Sequence, residues 1–325
     1  MLIIDYLIEH DISIQYLTYR ELLGNTPEVR IRAIRRRLGM EGWGKRLLDE
    51  YDEDSGTWGG GWYGPKWIST HYTLLTLKNL AVPGDNPIYS RASEDLLLHL
   101  WGEDGRKIGE RSIVKGDRYT KQDICVSAML LSIYSHSGRD GEQSRQIVDY
   151  LLSSRYEDGG YNCDMYRGAT HSSVHSTIST LEALQDYRQL NPSYRKDEID
   201  RAIAEGVKFL LRKKLYRSEH DGEIFDKRLT LLSFPNRWKY DILRALSFLA
   251  RIQWPYDPRM DEALDILISK QRKDGTWPNQ GKHAGRVYFD LEKPGGPSGM
   301  NTFRALLVLR TYRPELYRSI FREDY

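Results

Sequence analysis

The sequence predicts an all-α protein built from repeated helix pairs, and three observations lead there. Apolar residues recur at helical spacing in stretches such as Ile124-Cys-Val-Ser-Ala-Met-Leu-Leu131. A turn of one type recurs five times: Glu53-Asp-Ser-Gly-Thr-Trp58, Glu103-Asp-Gly-Arg106, Glu157-Asp-Gly-Gly-Tyr161, His220-Asp-Gly-Glu-Ile-Phe225 and Lys273-Asp-Gly-Thr-Trp277. An amphipathic segment precedes each turn and a more apolar one follows, so the unit returns about every 50 residues, as stacked helical pairs do.

The elements follow in order. Ile12 to Leu23 reads as an apolar inner helix closed by Gly24 as a C-cap, with Leu2 to Glu9 as its outer mate. Further outer helices are expected over Pro27 to Leu38, Tyr89 to Leu100, Glu142 to Arg155, Asp197 to Arg212 and Pro258 to Gln271. Inner helices are expected to begin at Trp67, Asp123, Ser172, Trp238 and Met300, with Asp123 as an N-cap. This gives about six inner and six outer helices in one domain over 1–325, with repeats of roughly 1–44, 45–82, 87–137, 142–190, 197–253 and 258–313. Six pairs can close into a ring around a cavity, and ligand chemistry is then expected at the loops entering the inner helices.

Composition narrows the function classes. Lys and Arg total 48 against 46 Asp and Glu, which gives no argument for a nucleic-acid partner. The basic run Arg30 to Arg37 carries isoleucines at helical spacing and reads as a solvated outer face. Two cysteines, Cys125 and Cys163, are too few for a disulfide framework and are expected as reduced thiols. The acidic, apolar N-terminus lacks the pattern of a signal peptide, and no apolar run reaches membrane-spanning length, so a cytoplasmic protein is expected.

The turns Gln271-Arg-Lys-Asp-Gly-Thr-Trp277 and Arg155-Tyr-Glu-Asp-Gly-Gly-Tyr161 resemble the repeat of squalene-hopene and other triterpene cyclases and that of protein prenyltransferase beta subunits. The resemblance spans about residues 45 to 312 and implies an (α/α)6 toroid. The cyclases carry an Asp-x-Asp-Asp acid motif, which this chain lacks. Prenyltransferases carry Arg and Lys ahead of Asp-x-Cys, then a His one inner helix later. The matching residues here are Arg118, Lys121, Asp123, Cys125 and His175, with Val126 where the family has Tyr.

The resemblance implies a zinc site at Asp123, Cys125 and His175, with Arg118 and Lys121 holding an anionic substrate group. A carboxylate at an N-cap and a thiolate two residues on could share a metal, leaving an open coordination position. Taken singly, the same residues are an ordinary cap, a small core residue, a core histidine and loop charges. Leu spacing sets His71, Cys125, His175 and Asp241 at one level, and adds Asp241 to the catalytic candidates. Trp67, Tyr72, Trp238 and Tyr240 lie near inner-helix starts, where with His71 they could line a substrate cavity.

The leading expectation is therefore an enzyme acting on a small apolar or isoprenoid-like substrate. Two other readings stay open. One is a carbohydrate hydrolase or lyase using acids such as Asp226, Asp241 or Asp290. The other is a non-catalytic toroid holding a peptide or lipid.

Overall fold

The computed structural model describes residues 2–102 and 123–321. Among them are fourteen α-helices. These are α1 (Ile3–Ile8), α2 (Ile12–Leu17), α3 (Glu28–Arg37), α4 (Gly42–Leu48), α5 (Thr70–Asn79), α6 (Pro87–Leu100) and α7 (Ile124–His136). They continue as α8 (Glu142–Ser153), α9 (Val174–Leu190), α10 (Lys196–Arg212), α11 (Ile242–Arg251), α12 (Asp261–Ser269), α13 (Gly299–Tyr312) and α14 (Pro314–Ile320). Two antiparallel pairs of two-residue strands, β1 (Tyr51–Asp52) with β2 (Thr57–Trp58) and β3 (Trp277–Pro278) with β4 (Pro297–Ser298), pin two of the recurring turns. The class is all-α, as expected. No described helix is long and apolar enough to cross a membrane.

The recurring turn has a physical cause. In three turns Asp158, Asp221 and Asp274 each accept the backbone N–H two residues on, at 3.0 Å, while Gly159, Gly222 and Gly275 take φ of +90°, +74° and +84°. A side chain that closes the turn and a glycine that tolerates left-handed backbone make this a stable chain reversal. The buried aromatic after it then locks onto the next helix. The N–H groups of Trp58, Tyr161 and Trp277 donate to the hydroxyls of Thr70, Thr177 and Thr302, in the first turns of α5, α9 and α13, at 3.1, 3.0 and 2.9 Å. The indoles of Trp58 and Trp277 reach the other way, donating to the carbonyls of Leu47 on α4 and Leu267 on α12. Each tryptophan thus ties an outer helix to the inner helix that follows it.

The His220 turn departs from the pattern, since Phe225 is 44% exposed. The Glu103 turn lies outside the described residues. Asp52, Glu53 and Asp54 are exposed.

Helix starts differ in detail from the sequence reading. Trp67 has φ +76° and so cannot enter α5, and α11 begins at Ile242 because the Asp241 carboxylate caps the N–H of Arg244 at 2.8 Å. Asp123 stands at the N-cap position of α7, but its side chain makes no capping bond. Gly24 is not a left-handed C-cap, because α2 runs on as a π turn over Thr18–Leu22 and ends with extended backbone at Leu23. The outer helix α4 was hidden by Gly42 and Gly44, whose lack of side chains has a packing reason. A Cβ on Gly44 would meet Val82 at 2.8 Å.

Helix α5 packs on α7, α7 on α9, α11 on α13 and α13 on α2, while α4 touches both α2 and α5. An ion pair between Glu182 of α9 and Arg244 of α11 links those two. Helices α1, α3, α6, α8, α10, α12 and α14 lie against these from outside. Residues of α2, α5, α7, α9, α11 and α13 all line one cavity of about 720 Å³.

Replacing Thr302 by Val removes the acceptor of a buried N–H, and the expected cost is about 1–3 kcal/mol. Urea unfolding should show this loss, and Thr302→Ser should recover most of it.

Candidate functional site

Near the starts of α5, α9 and α11 the aromatic candidates pack in two groups, and of them only Trp67 lines either of two cavities, of about 40 and 720 Å³. The Trp67 indole donates to the carbonyl of Ala284 at 2.6 Å and meets Tyr72 edge-on at 4.8 Å. Tyr72 donates to the Tyr63 hydroxyl at 3.2 Å. The ammonium of Lys66 sits 5.8 Å from the Trp67 ring and 5.9 Å from the Trp238 ring, joining two aromatic groups. In the second group His175 meets Trp238 edge-on at 5.4 Å, and its Nδ1 accepts the N–H of Tyr240 at 2.9 Å. The Tyr240 hydroxyl donates inward to Leu215. Burial pushes the Tyr72 hydroxyl well above its usual range, with Tyr63 and the charge of Asp123 adding to the effect.

His71 is fully enclosed beside Tyr63 and Tyr72, and neither ring nitrogen has a hydrogen-bond partner among the described residues. Burial pushes its pKa down to about 3. Burial also takes His175 down to about 4, with Lys239 and Arg244 adding to the shift. Both imidazoles are therefore neutral at pH 7. Matching Thr70 with Thr177, which accept equivalent bonds, sets His71 against Ile178 and His175 against Ile68, a register difference of three residues.

The two cysteines are not reduced thiols as expected, for Cys125 and Cys163 form a disulfide. Cys163 opens a 3-10 turn before α9; its N–H donates to the Ser176 hydroxyl of α9 at 3.0 Å, and its sulfur accepts the N–H of Cys125 of α7 at 3.1 Å. The zinc donor set does not fit as it stands. The sulfur of Cys125 is bonded to Cys163, Nδ1 of His175 is taken by a backbone N–H, and no three His, Cys, Asp or Glu among the described residues are grouped to hold a metal. Arg118 and Lys121 lie outside the described residues.

Asp241 is buried and accepts from the N–H of Ser233, the side chain of Asn236 and the N–H of Arg244. Burial raises its pKa, and those donors with Arg304 offset part of the rise. It lines neither cavity described here. Its geometry is that of a helix cap that also holds Asn236. Asp226 caps a 3-10 turn, and Asp290 pairs with Lys282 at 2.9 Å.

The larger cavity opens at the other end. Gly24, Gln189, Arg251, Gln253 and Arg310, from the C-terminal ends of the inner elements, are exposed lining residues and form its mouth. Met300, Asn236 and Arg237, before or at inner-helix starts, form its floor. Seven Lys and Arg line it against three carboxylates, alongside apolar Leu75, Met129, Phe248, Met300 and Leu307. At the mouth Glu21 is paired with Arg20 and, at 3.4 Å, with Arg251. Lys78 pairs with Asp186 at 2.6 Å.

Deeper in, the Arg244 fork grips both oxygens of Glu182, at 3.0 and 2.7 Å. Burial alone would raise the Glu182 carboxyl, but Arg244, with Lys78 and Arg304, holds it below the ordinary range. About a third of its side chain stays open, and that surface faces the cavity.

Arg237 and Arg304 have no carboxylate within ion-pair distance among the described residues. Arg237 donates to the Thr76 hydroxyl at 2.8 Å and lies 5.5 Å from the Trp67 ring, while Arg304 donates to the Asn236 side chain. Burial pulls both guanidinium groups down to about 10, with Arg251 also acting on Arg304 and Asp241 and Glu182 opposing. A smaller cavity of about 40 Å³ between Trp67 and the 281–294 loop meets the floor at Arg237, which lines both.

These lining charges escaped sequence reasoning. The signal was a single charge inside an apolar helix, as in Leu181-Glu-Ala-Leu184, Leu243-Arg-Ala-Leu246 and Phe303-Arg-Ala-Leu306. A scan against protein-family models finds no match to this chain, and a search of curated proteins finds none either.

Acid should weaken the fold through His71. Its unfolded imidazole binds a proton below about pH 6.5, whereas the folded one waits until about 3. Stability is then full above pH 6.5 and is lost as pH falls toward 3, by about 1.4 kcal/mol per unit at the steepest. Urea titrations at pH 7 and 4.5 should show a smaller difference for His71→Leu than for the unsubstituted chain.

Proposed function

We propose that the helix pairs close as an (α/α)6 toroid of the terpene cyclase and protein prenyltransferase type, and that the chain is an enzyme acting in the enclosed cavity on a small molecule with an apolar, isoprenoid-like body. The observation that carries this reading is the cavity of about 720 Å³ to which six helices contribute. Leu75, Met129, Phe248, Met300 and Leu307 give it apolar walls. A space of this size suits a small molecule rather than a polymer. The resemblance of the recurring turns points the same way.

Glu182 is the proposed catalytic group. It stays ionised, faces the cavity and is oriented by Arg244, so it can stabilise positive charge that develops on an apolar skeleton. No step is assigned to a metal.

Farnesol is a suitable first probe of the apolar walls. Calorimetry should detect its binding to the intact chain, and Leu75→Trp or Met129→Trp should weaken it at least roughly tenfold, because the indole occupies cavity space rather than packed core. Release of pyrophosphate from farnesyl diphosphate should fall about 100-fold in Glu182→Gln. A chain that binds farnesol but releases no pyrophosphate would be a binding module instead.

A further inference from the structure

We propose that Arg237 and Arg304 form an anion site at the floor of the cavity, which takes the phosphoryl head of an amphiphilic ligand that enters head first. The inference rests on the cavity reading above for the ligand body, but its own evidence is separate.

A guanidinium withdrawn from bulk water normally faces a carboxylate, because losing hydration without a charged partner is unfavourable. Arg244 obeys that rule through Glu182. Arg237 and Arg304, both partly open to the cavity, have no such partner among the described residues, and both are held in place by neutral groups. Arg304 is fixed by Asn236, and Asn236 is fixed in turn by the buried Asp241. Arg237 is fixed by Thr76 and by φ of +58°, a backbone conformation that a side chain of its size rarely adopts.

The carboxylates near the floor are already engaged. Both oxygens of Glu182 accept from Arg244, and Asp241 accepts from two backbone N–H groups and Asn236. Two guanidinium groups from separate elements suit a doubly charged oxyanion better than a single carboxylate, since each presents a planar fork of donors. The excess of Arg and Lys along the cavity favours an anion's passage from the mouth. Above the floor, Met129, Phe248 and Leu307 face the space an apolar substituent would fill. The phosphoryl group therefore sits deepest and the apolar body points back to the mouth.

Calorimetry with inorganic phosphate, octyl phosphate, octanoate and octanol tests this on the full chain. Octyl phosphate is expected to bind more tightly than phosphate and at least about tenfold more tightly than octanoate or octanol. Arg304→Met and Arg237→Gln should each weaken octyl phosphate by about 10- to 100-fold, and Arg304→Lys should recover part of the loss. The unliganded variants should melt no lower than the parent, because each removes a cavity-lining charge that has no ion-pair partner among the described residues. No phosphate binding by the parent, or binding that survives both substitutions, overturns the site. Octanoate binding as tightly as octyl phosphate overturns the phosphoryl assignment, and a lowered melting temperature in both unliganded variants assigns the arginines to folding. Farnesol bears on the walls alone, so its failure to bind would overturn the proposed function and leave a positive phosphate result standing.

Discussion

The fold depends on one hydrogen bond repeated at three places, from the backbone N–H of a turn aromatic to a threonine hydroxyl in the first turn of the next inner helix. The turn must present a buried N–H that no helix or sheet ladder can satisfy, and an unsatisfied buried donor costs more than most single contacts supply. The threonine meets that need and thereby sets the height of its helix against the turn. The tryptophan ring adds a second anchor to the preceding outer helix. A long chain is then assembled from local decisions, each linking segments 10 to 25 residues apart. The cavity is what remains inside once those heights are fixed.

Much of this was legible beforehand. Gly159, Gly222 and Gly275 and their aspartates advertise a chain reversal, because glycine and a carboxylate are the residues such a turn needs. Apolar periodicity gave the inner helices to within a few residues. What escaped was set by three-dimensional context. Trp67 reads as a helix start until its left-handed φ removes it, and α4 reads as loop until Val82 is seen to need the space that Gly44 leaves. The Cys125 and Cys163 bond is invisible to spacing, since it depends on a 3-10 turn before α9.

The candidate site was less legible than the fold, for a physical reason. Aromatics near helix starts drew attention to that end, and Trp67, Tyr72, His175, Trp238 and Tyr240 pack there in two groups. They pack mainly on one another, and their polar atoms are largely spent on backbone groups, as with Trp67 on Ala284 and Tyr240 on Leu215. Glu182, Arg244 and Arg304 instead looked like isolated charges in apolar helices. A helical net cannot tell a charge that faces a cavity from one that faces solvent, because both occupy the polar side of the same amphipathic stripe.

The two ends of the cavity then divide the work. Toward the mouth the charges are paired and part-exposed, so solvent screens them and they mainly shape the field at the opening. At the floor exposure falls and the local dielectric falls with it, so the same kind of charge acts much more strongly. Asp241 shows how that strength is controlled, because a single buried carboxylate caps α11, fixes Asn236 and through it steadies Arg304. A carboxylate that lines neither cavity can therefore set the geometry of an arginine that does. Helix capping, which any folded chain requires, and charge placement, which only a functional cavity requires, converge here on the same side chain.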